Sequence, residues 1–170
     1  MDRRKFLASA TVVTVASAVL VKAKFTQADL PRLIQDLQAL QGKNVQSHGA
    51  WSASEVFQHC AASIVGSMQG YPVHKSAVFK ATAGKVAFTI FQAAGAMRHP
   101  LAEAIPGMPA LNGELPLTDA LTQLLASLQN FIEFKGQLQA HFAYGELSYE
   151  EYALAHQMHI RNHLTEFSVK

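Results

Sequence analysis

Ser148-Tyr149-Glu150-Glu151-Tyr152-Ala153-Leu154-Ala155-His156-Gln157-Met158-His159-Ile160-Arg161-Asn162-His163-Leu164-Thr165-Glu166-Phe167 is the stretch on which the fold of this chain turns. Ser148 and Glu151 have the spacing of a capping box, in which an N-cap side chain and the third helical residue satisfy each other's backbone N–H groups. Leu147 and Tyr152 flank them as a hydrophobic staple. A helix reaching Phe167 is therefore expected. At ~100° per residue, His156, His159 and His163 fall within about a 60° arc of that helix. Tyr152, Ala155, Ile160, Leu164 and Phe167 flank the arc, whereas Gln157, Arg161, Asn162 and Thr165 fall mostly elsewhere. The histidines thus run down the middle of the face expected to be buried, and a buried imidazole needs a hydrogen-bond partner or a metal.

Helical periods recur upstream. Ser52 and Glu55 form a second capping box, with Trp51 and Val56 as its staple, and open a helix that Gly70-Tyr71-Pro72 stops. Leu30, Leu33, Ile34, Leu37 and Leu40 recur at 3–4 spacing before Gly42. A long pattern over 118–142 runs through Leu121, Leu124, Leu125, Leu128, Ile132 and Leu138. Residues 86–91 have strand propensity but no hairpin partner, so 76–97 reads as a helix. Residues 98–117 hold four of the six prolines, with Gly107 and Gly113, and read as an ordered, irregular loop. The expected fold is all-α: four long amphipathic helices with one extended crossover, which point to a helix bundle.

Composition narrows the function. The chain has 170 residues, 49% hydrophobic and 15% charged, which suits one domain and is too apolar for disorder. The single cysteine, Cys60, excludes an intramolecular disulfide, a cysteine zinc ribbon and a CxxC redox centre. It lies ~100° round the helix from His59, and is expected to be a buried, inert thiol.

Residues 1–23 read as an export signal rather than as part of the domain. Arg3, Arg4 and Lys5 precede an uncharged run over 7–21, and small-residue cleavage sites follow at Ala16-Ser17-Ala18 and Val21-Lys22-Ala23. The run falls short of the roughly 20 residues a membrane-spanning helix needs. Arg3-Arg4-Lys5-Phe6-Leu7 resembles the twin-arginine signal, although Asp2 and Ala8 depart from its usual pattern. A periplasmic domain over 25–170 is expected, membrane-tethered if the signal stays on, with no stable membrane span once it is cleaved. Without residues 1–23 the chain keeps ten Lys and Arg against eleven Asp and Glu. No basic cluster remains to neutralise a row of phosphates, so nucleic acid is not an expected partner.

His159 and His163 are one helical turn apart and can converge on a single ion. His156 lies ~10 Å along the axis from His163, too far to share a metal with bonds of ~2.0–2.1 Å. A third ligand must come from another helix, and His59 is the best placed. Its face carries Glu55, Ala62, Ser63 and Gly66, a stripe that either lines a cleft or meets water; periodicity leaves both open. His141 is expected as a cation at a helix C-terminus. His48, His74 and His99 fall in loops without a pattern.

Trp51-Ser52-x-x-Glu55-Val56-Phe57-x-His59-Cys60-Ala61, Ser63-Ile64 and Gly70-Tyr71-Pro72 resemble the second helix of the DinB-like (YfiT-like) superfamily of metalloenzymes. The match is closest to an exported branch of unknown function. Ile105-Pro106-Gly107-x-Pro109, His141-x-x-x-Gly145 and His159-x-x-x-His163-Leu164-x-x-Phe167 fit the same branch, so the resemblance spans residues 26–168. It implies an up-down four-helix bundle, with an extra helix and a long proline-rich loop between its second and third helices, and a metal held by His59, His159 and His163. The superfamily includes metal-dependent thiol transferases and a maleylpyruvate isomerase that uses a small thiol. That thiol chemistry fits an exported protein poorly, because such thiols are mainly cytoplasmic.

The function expected is thus an exported metal-dependent enzyme of hydrolase or transferase type, acting on an unspecified small molecule. Three neutral imidazoles leave an open coordination position, and His156 would support the ligands or act as acid or base. The 98–117 loop would be a lid. Zinc is the first choice of divalent transition metal, with Ni, Fe or Cu also compatible with all-nitrogen ligation. A homodimer would suit the superfamily. Two other readings stand beside this one: a non-catalytic metal-binding or stress-associated bundle, and an interaction module tethered by its N-terminus.

Overall fold

A computed structural model of the protein describes residues 27–170, and the expected export signal lies outside them. The described chain is mostly helical with little strand. Helix α1 is Leu30–Gln38, started by Asp29, whose side chain accepts from Arg32 N, and by Pro31 in its first turn. Helix α2 is Ala53–Gln69 and helix α6 is Tyr149–Leu164; both begin with the capping boxes read from the sequence, Ser52 with Glu55 and Ser148 with Glu151. Between them lie α3, Ala77–Phe79, a π-helical turn, Lys80–Gly84, α4, Lys85–Ala94, and α5, Leu117–Glu133. The helix expected over 76–97 is therefore present, with a π turn in its middle.

The main core joins α1, α2, α5 and α6 through Leu33, Leu37, Phe57, Ile64, Leu128 and Tyr152, all essentially sealed from solvent. Each such side chain contributes roughly 1.5–3 kcal/mol through burial. A smaller cluster of Phe88, Met97, Leu154, Ala155 and Met158 binds α4 to the other side of α6. Helix α6 is consequently covered on nearly every face. That explains why Gln157, placed elsewhere than the buried stripe by periodicity, is 1% exposed: its Oε1 accepts Asp29 N at 2.7 Å from the α1 side. Arg161 on the same flank pairs with Asp36 of α1.

Two helix ends and one side-chain role differ from expectation. Helix α5 stops at Glu133, because Phe134 turns to extended backbone and Gly136 makes room for its ring. Leu138 still reaches the core, but from an irregular segment, so its apolar periodicity did not mean helix. Helix α6 stops at Leu164, and Phe167–Val169 (β2) pairs antiparallel with Val45–Ser47 (β1) in register Val45 with Val169. This two-stranded ribbon ties the end of α6 to the chain entering α2. His141 is not a helix-terminal cation: it bridges to Gly145 in a turn and is 7% exposed.

Candidate metal centre

Helices α2 and α6 bring three imidazoles to one point. His59 Nε2 lies 3.1 Å from His159 Nε2, and His163 Nε2 lies 3.1 Å from the same atom. His59 is 4% exposed, His163 fully buried and His159 the most open at 9%, so the stripe around His59 lines a cleft rather than meeting bulk water. The two capping boxes set where each helix starts, and the packing of α2 against α6 makes these rings converge. Trp51 walls one side, its ring 4.9 Å from that of His59 and stacked on that of His163. The ribbon bond from His48 N to Glu166 O holds the chain beside Trp51 against the end of α6.

The donor set fits a metal better than it fits hydrogen bonding. A ring nitrogen carries either one hydrogen or one lone pair. His159 Nε2 faces two other Nε2 atoms at hydrogen-bond distance, so its single hydrogen or its single lone pair would have to be shared between both contacts. Three lone pairs directed at one cation remove the conflict. Ligand nitrogens at ~2.0–2.1 Å from a tetrahedral zinc lie about 3.3 Å apart, close to the spacing seen. His59, His159 and His163 could therefore hold a metal ion.

The rings are also in the protonation state a metal needs. Burial, helped by nearby His99, lowers His59 to about 4. Burial, then His59 and His99, lowers His163 to about 3. His159 is driven well below the usual histidine value by burial first and then by its histidine neighbours. All three are neutral at pH 7 with lone pairs available. His163 Nδ1 is buried without a hydrogen-bond partner among the described residues, so its N–H lacks the acceptor that usually orients a ligating imidazole.

His99 was missed by sequence reasoning. It comes from the loop after α4, and its ring centroid lies 5.1 Å from that of His159 and 5.5 Å from that of His163. Its Nδ1 donates to the Pro100 carbonyl at 2.9 Å. A lone loop histidine has no periodicity, so only the tertiary fold reveals it. His156 is buried in α6 as expected, but its Nε2 meets Ser67 Oγ at 3.1 Å rather than a member of the triad. A cavity of about 290 Å³ opens beside His59 and His159, and His99, His141 and His156 also line it. Cys60 is 1% exposed, and burial pushes its thiol up, which leaves it inert.

Residues 21–170 match the family described as a protein of unknown function, DUF1569. The chain belongs to the DUF1569 family. Neither a curated protein nor a solved structure matches it. The DUF1569 match covers every residue of the histidine cluster and of the cavity beside it. Among the described residues of this DUF1569 chain, no helix is long and apolar enough to cross a membrane.

Proposed function

We propose that this protein is a metal-dependent enzyme, of hydrolase or transferase type, whose ion is held by Nε2 of His59, His159 and His163. The convergence of those three nitrogens at the edge of a cavity carries the reading. A protein-only ligand set of three leaves a coordination position for a substrate atom, and the cavity gives that atom access. A metal bound there supplies Lewis acidity toward an oxygen or sulfur of the substrate. The chain's own part is to keep the three imidazoles neutral, to shield them with Trp51, and to set the His99 ring beside them. A ligand from the second helix with an HxxxH pair on the last, and the packing of α1, α2, α5 and α6, support a DinB-like up-down four-helix bundle. Zinc suits the all-nitrogen set.

Elemental analysis tests the proposal. Protein purified without chelator or affinity tag should carry about one metal per chain, lost in His59→Ala, His159→Ala and His163→Ala. Metal-free wild type, or variants that keep full stoichiometry, would sink it. Export belongs to the same proposal: the periplasmic fraction should contain the chain, cut after Ala18 or Ala23 by intact mass.

A further inference from the structure

Two further imidazoles line the cavity, and the fold fixes where each carries its hydrogen. His141 Nδ1 accepts the backbone N–H of Ala143 at 3.1 Å and of Tyr144 at 3.2 Å. A nitrogen that accepts two amide hydrogens carries none, so the neutral ring has its hydrogen on Nε2. His156 is set through Ser67. The Ser67 hydroxyl donates its one hydrogen to the Ile64 carbonyl at 2.6 Å, so at its 3.1 Å contact with His156 it accepts. His156 therefore has its hydrogen on Nε2 and its lone pair on Nδ1. Neither His141 Nε2 nor His156 Nδ1 bonds another described residue.

Both rings stay uncharged. Burial, followed by the influence of His156 and His74, lowers His141 to about 3, and burial lowers His156 to about 3. Tyr144 stacks on His141 at 4.3 Å, and Tyr152 stacks on His156 at 5.4 Å, so neither ring is free to turn. The other walls include Phe79, Ala87, Phe91, Met97 and Ile105. The charged lining residues, Lys75 and Glu103, are exposed at the rim and opposite in sign, so the cavity selects for neither charge. Its volume sits near the lower end of the ~300–1,000 Å³ typical of small-molecule sites.

We propose that this cavity binds a small molecule with an apolar body and an uncharged head group that both accepts, from His141 Nε2–H, and donates, to His156 Nδ1. A primary or secondary amide has that chemistry. A carboxylate has no hydrogen to give and, in the metal-free cavity, meets no buried cationic side chain; an ammonium has no lone pair to offer. As a statement about the substrate of the metal site this rests on the proposal above, whereas as a statement about the cavity it does not need the ion.

The test uses benzamide, benzoate and benzylammonium as probes, with full-length protein loaded with zinc and again after chelation. In the chelated protein benzamide should bind at least tenfold more tightly than either charged probe. Histidine ring ¹⁵N spectra should show both His141 and His156 protonated on Nε2, with His141 Nε2 and His156 Nδ1 shifting as benzamide binds. His141→Asn keeps an oxygen for the Ala143 and Tyr144 amides, and His156→Gln keeps an N–H for Ser67. Each should cut benzamide affinity at least tenfold without loss of helical circular dichroism. Benzoate binding as tightly as benzamide, no probe binding at millimolar concentration, or either ring in the opposite tautomer would overturn the proposal. Benzamide selectivity in a protein that takes up no zinc would leave this inference standing and remove the metal one. Stoichiometric zinc without selectivity would do the reverse.

Discussion

Ser67 on α2 accepts the Nε2–H of His156 on α6 at 3.1 Å, and its own hydrogen goes to the Ile64 carbonyl at 2.6 Å. One hydroxyl thus joins two helices and fixes the tautomer of an imidazole that is 2% exposed. Ser67→Ala removes that acceptor and leaves a buried N–H without one. The expected cost is about 1–3 kcal/mol in urea unfolding, with loss of the single-tautomer ¹⁵N signature of His156. A change below about 0.5 kcal/mol, within the range of an ordinary surface substitution, would show that Ser67 does not hold the ring.

Zinc is expected to stabilise the folded chain through the same three nitrogens. An ion at a hundredfold its dissociation constant adds about 2.7 kcal/mol if it binds only the folded state. For a chain of this size each kcal/mol moves the melting temperature by about 2–4 °C, so a rise of about 5–10 °C is expected. His163→Ala should abolish the rise. His99→Ala should keep most of it, because the His99 ring approaches the cluster without joining the converging nitrogens. An equal rise in His163→Ala would put the zinc elsewhere.

The helical fold and the HxxxH pair were legible because each rests on local chemistry. Two capping boxes mark helix starts by side-chain-to-backbone bonds within four residues, and both form as read. His59 needed more than periodicity, since a stripe of small and polar residues suits a cleft and a wet face equally well; the packing of α2 against α6 decides it. Leu138 misled because an irregular segment can present a leucine to the core as well as a helix can. His99 and the buried turn at His141 were not legible at all. Their positions depend on a loop closing over α6 and on a two-residue bridge, and neither leaves a repeating pattern in the sequence.

Acid should unfold the metal-free protein earlier than its few carboxylate pairs would. His141 and His156 take up protons in the fold only near pH 3, whereas an unfolded histidine does so near 6.5. Between those values the unfolded chain binds more protons, so stability is complete above about 6.5 and falls as pH drops toward 3. Each such group contributes a slope of about 1.4 kcal/mol per pH unit within that window. His59, lowered to about 4, adds its own slope over a narrower range. Urea unfolding from pH 7 to 4.5 should therefore show a steep loss, and His156→Gln should reduce the slope by close to one proton. Constant stability across that range would contradict neutral burial of these rings.

Gly84→Ala is expected to reverse the usual sign of its substitution. In an exposed helix, alanine in place of glycine stabilises by about 1 kcal/mol. Gly84 ends the π-helical turn where the Ala143 carbonyl presses on the helix, and an added Cβ would stand 1.9 Å from that oxygen. The carbonyl cannot swing aside freely, since the amides of Ala143 and Tyr144 are bonded to His141 Nδ1 in the same turn. Relief must come from moving the turn or the helix, at a cost of about 1–3 kcal/mol. Gly113→Ala is the control: its Cβ would meet only a Glu55 side-chain oxygen at 3.7 Å, so an effect within about 0.5 kcal/mol is expected. Gly84→Ala should also broaden or shift the His141 ring signals, because the turn that fixes its tautomer leans on this helix. A neutral or stabilising result in urea unfolding would mean that the turn gives way readily, and His141 would then lack the rigid frame that makes it a fixed hydrogen donor.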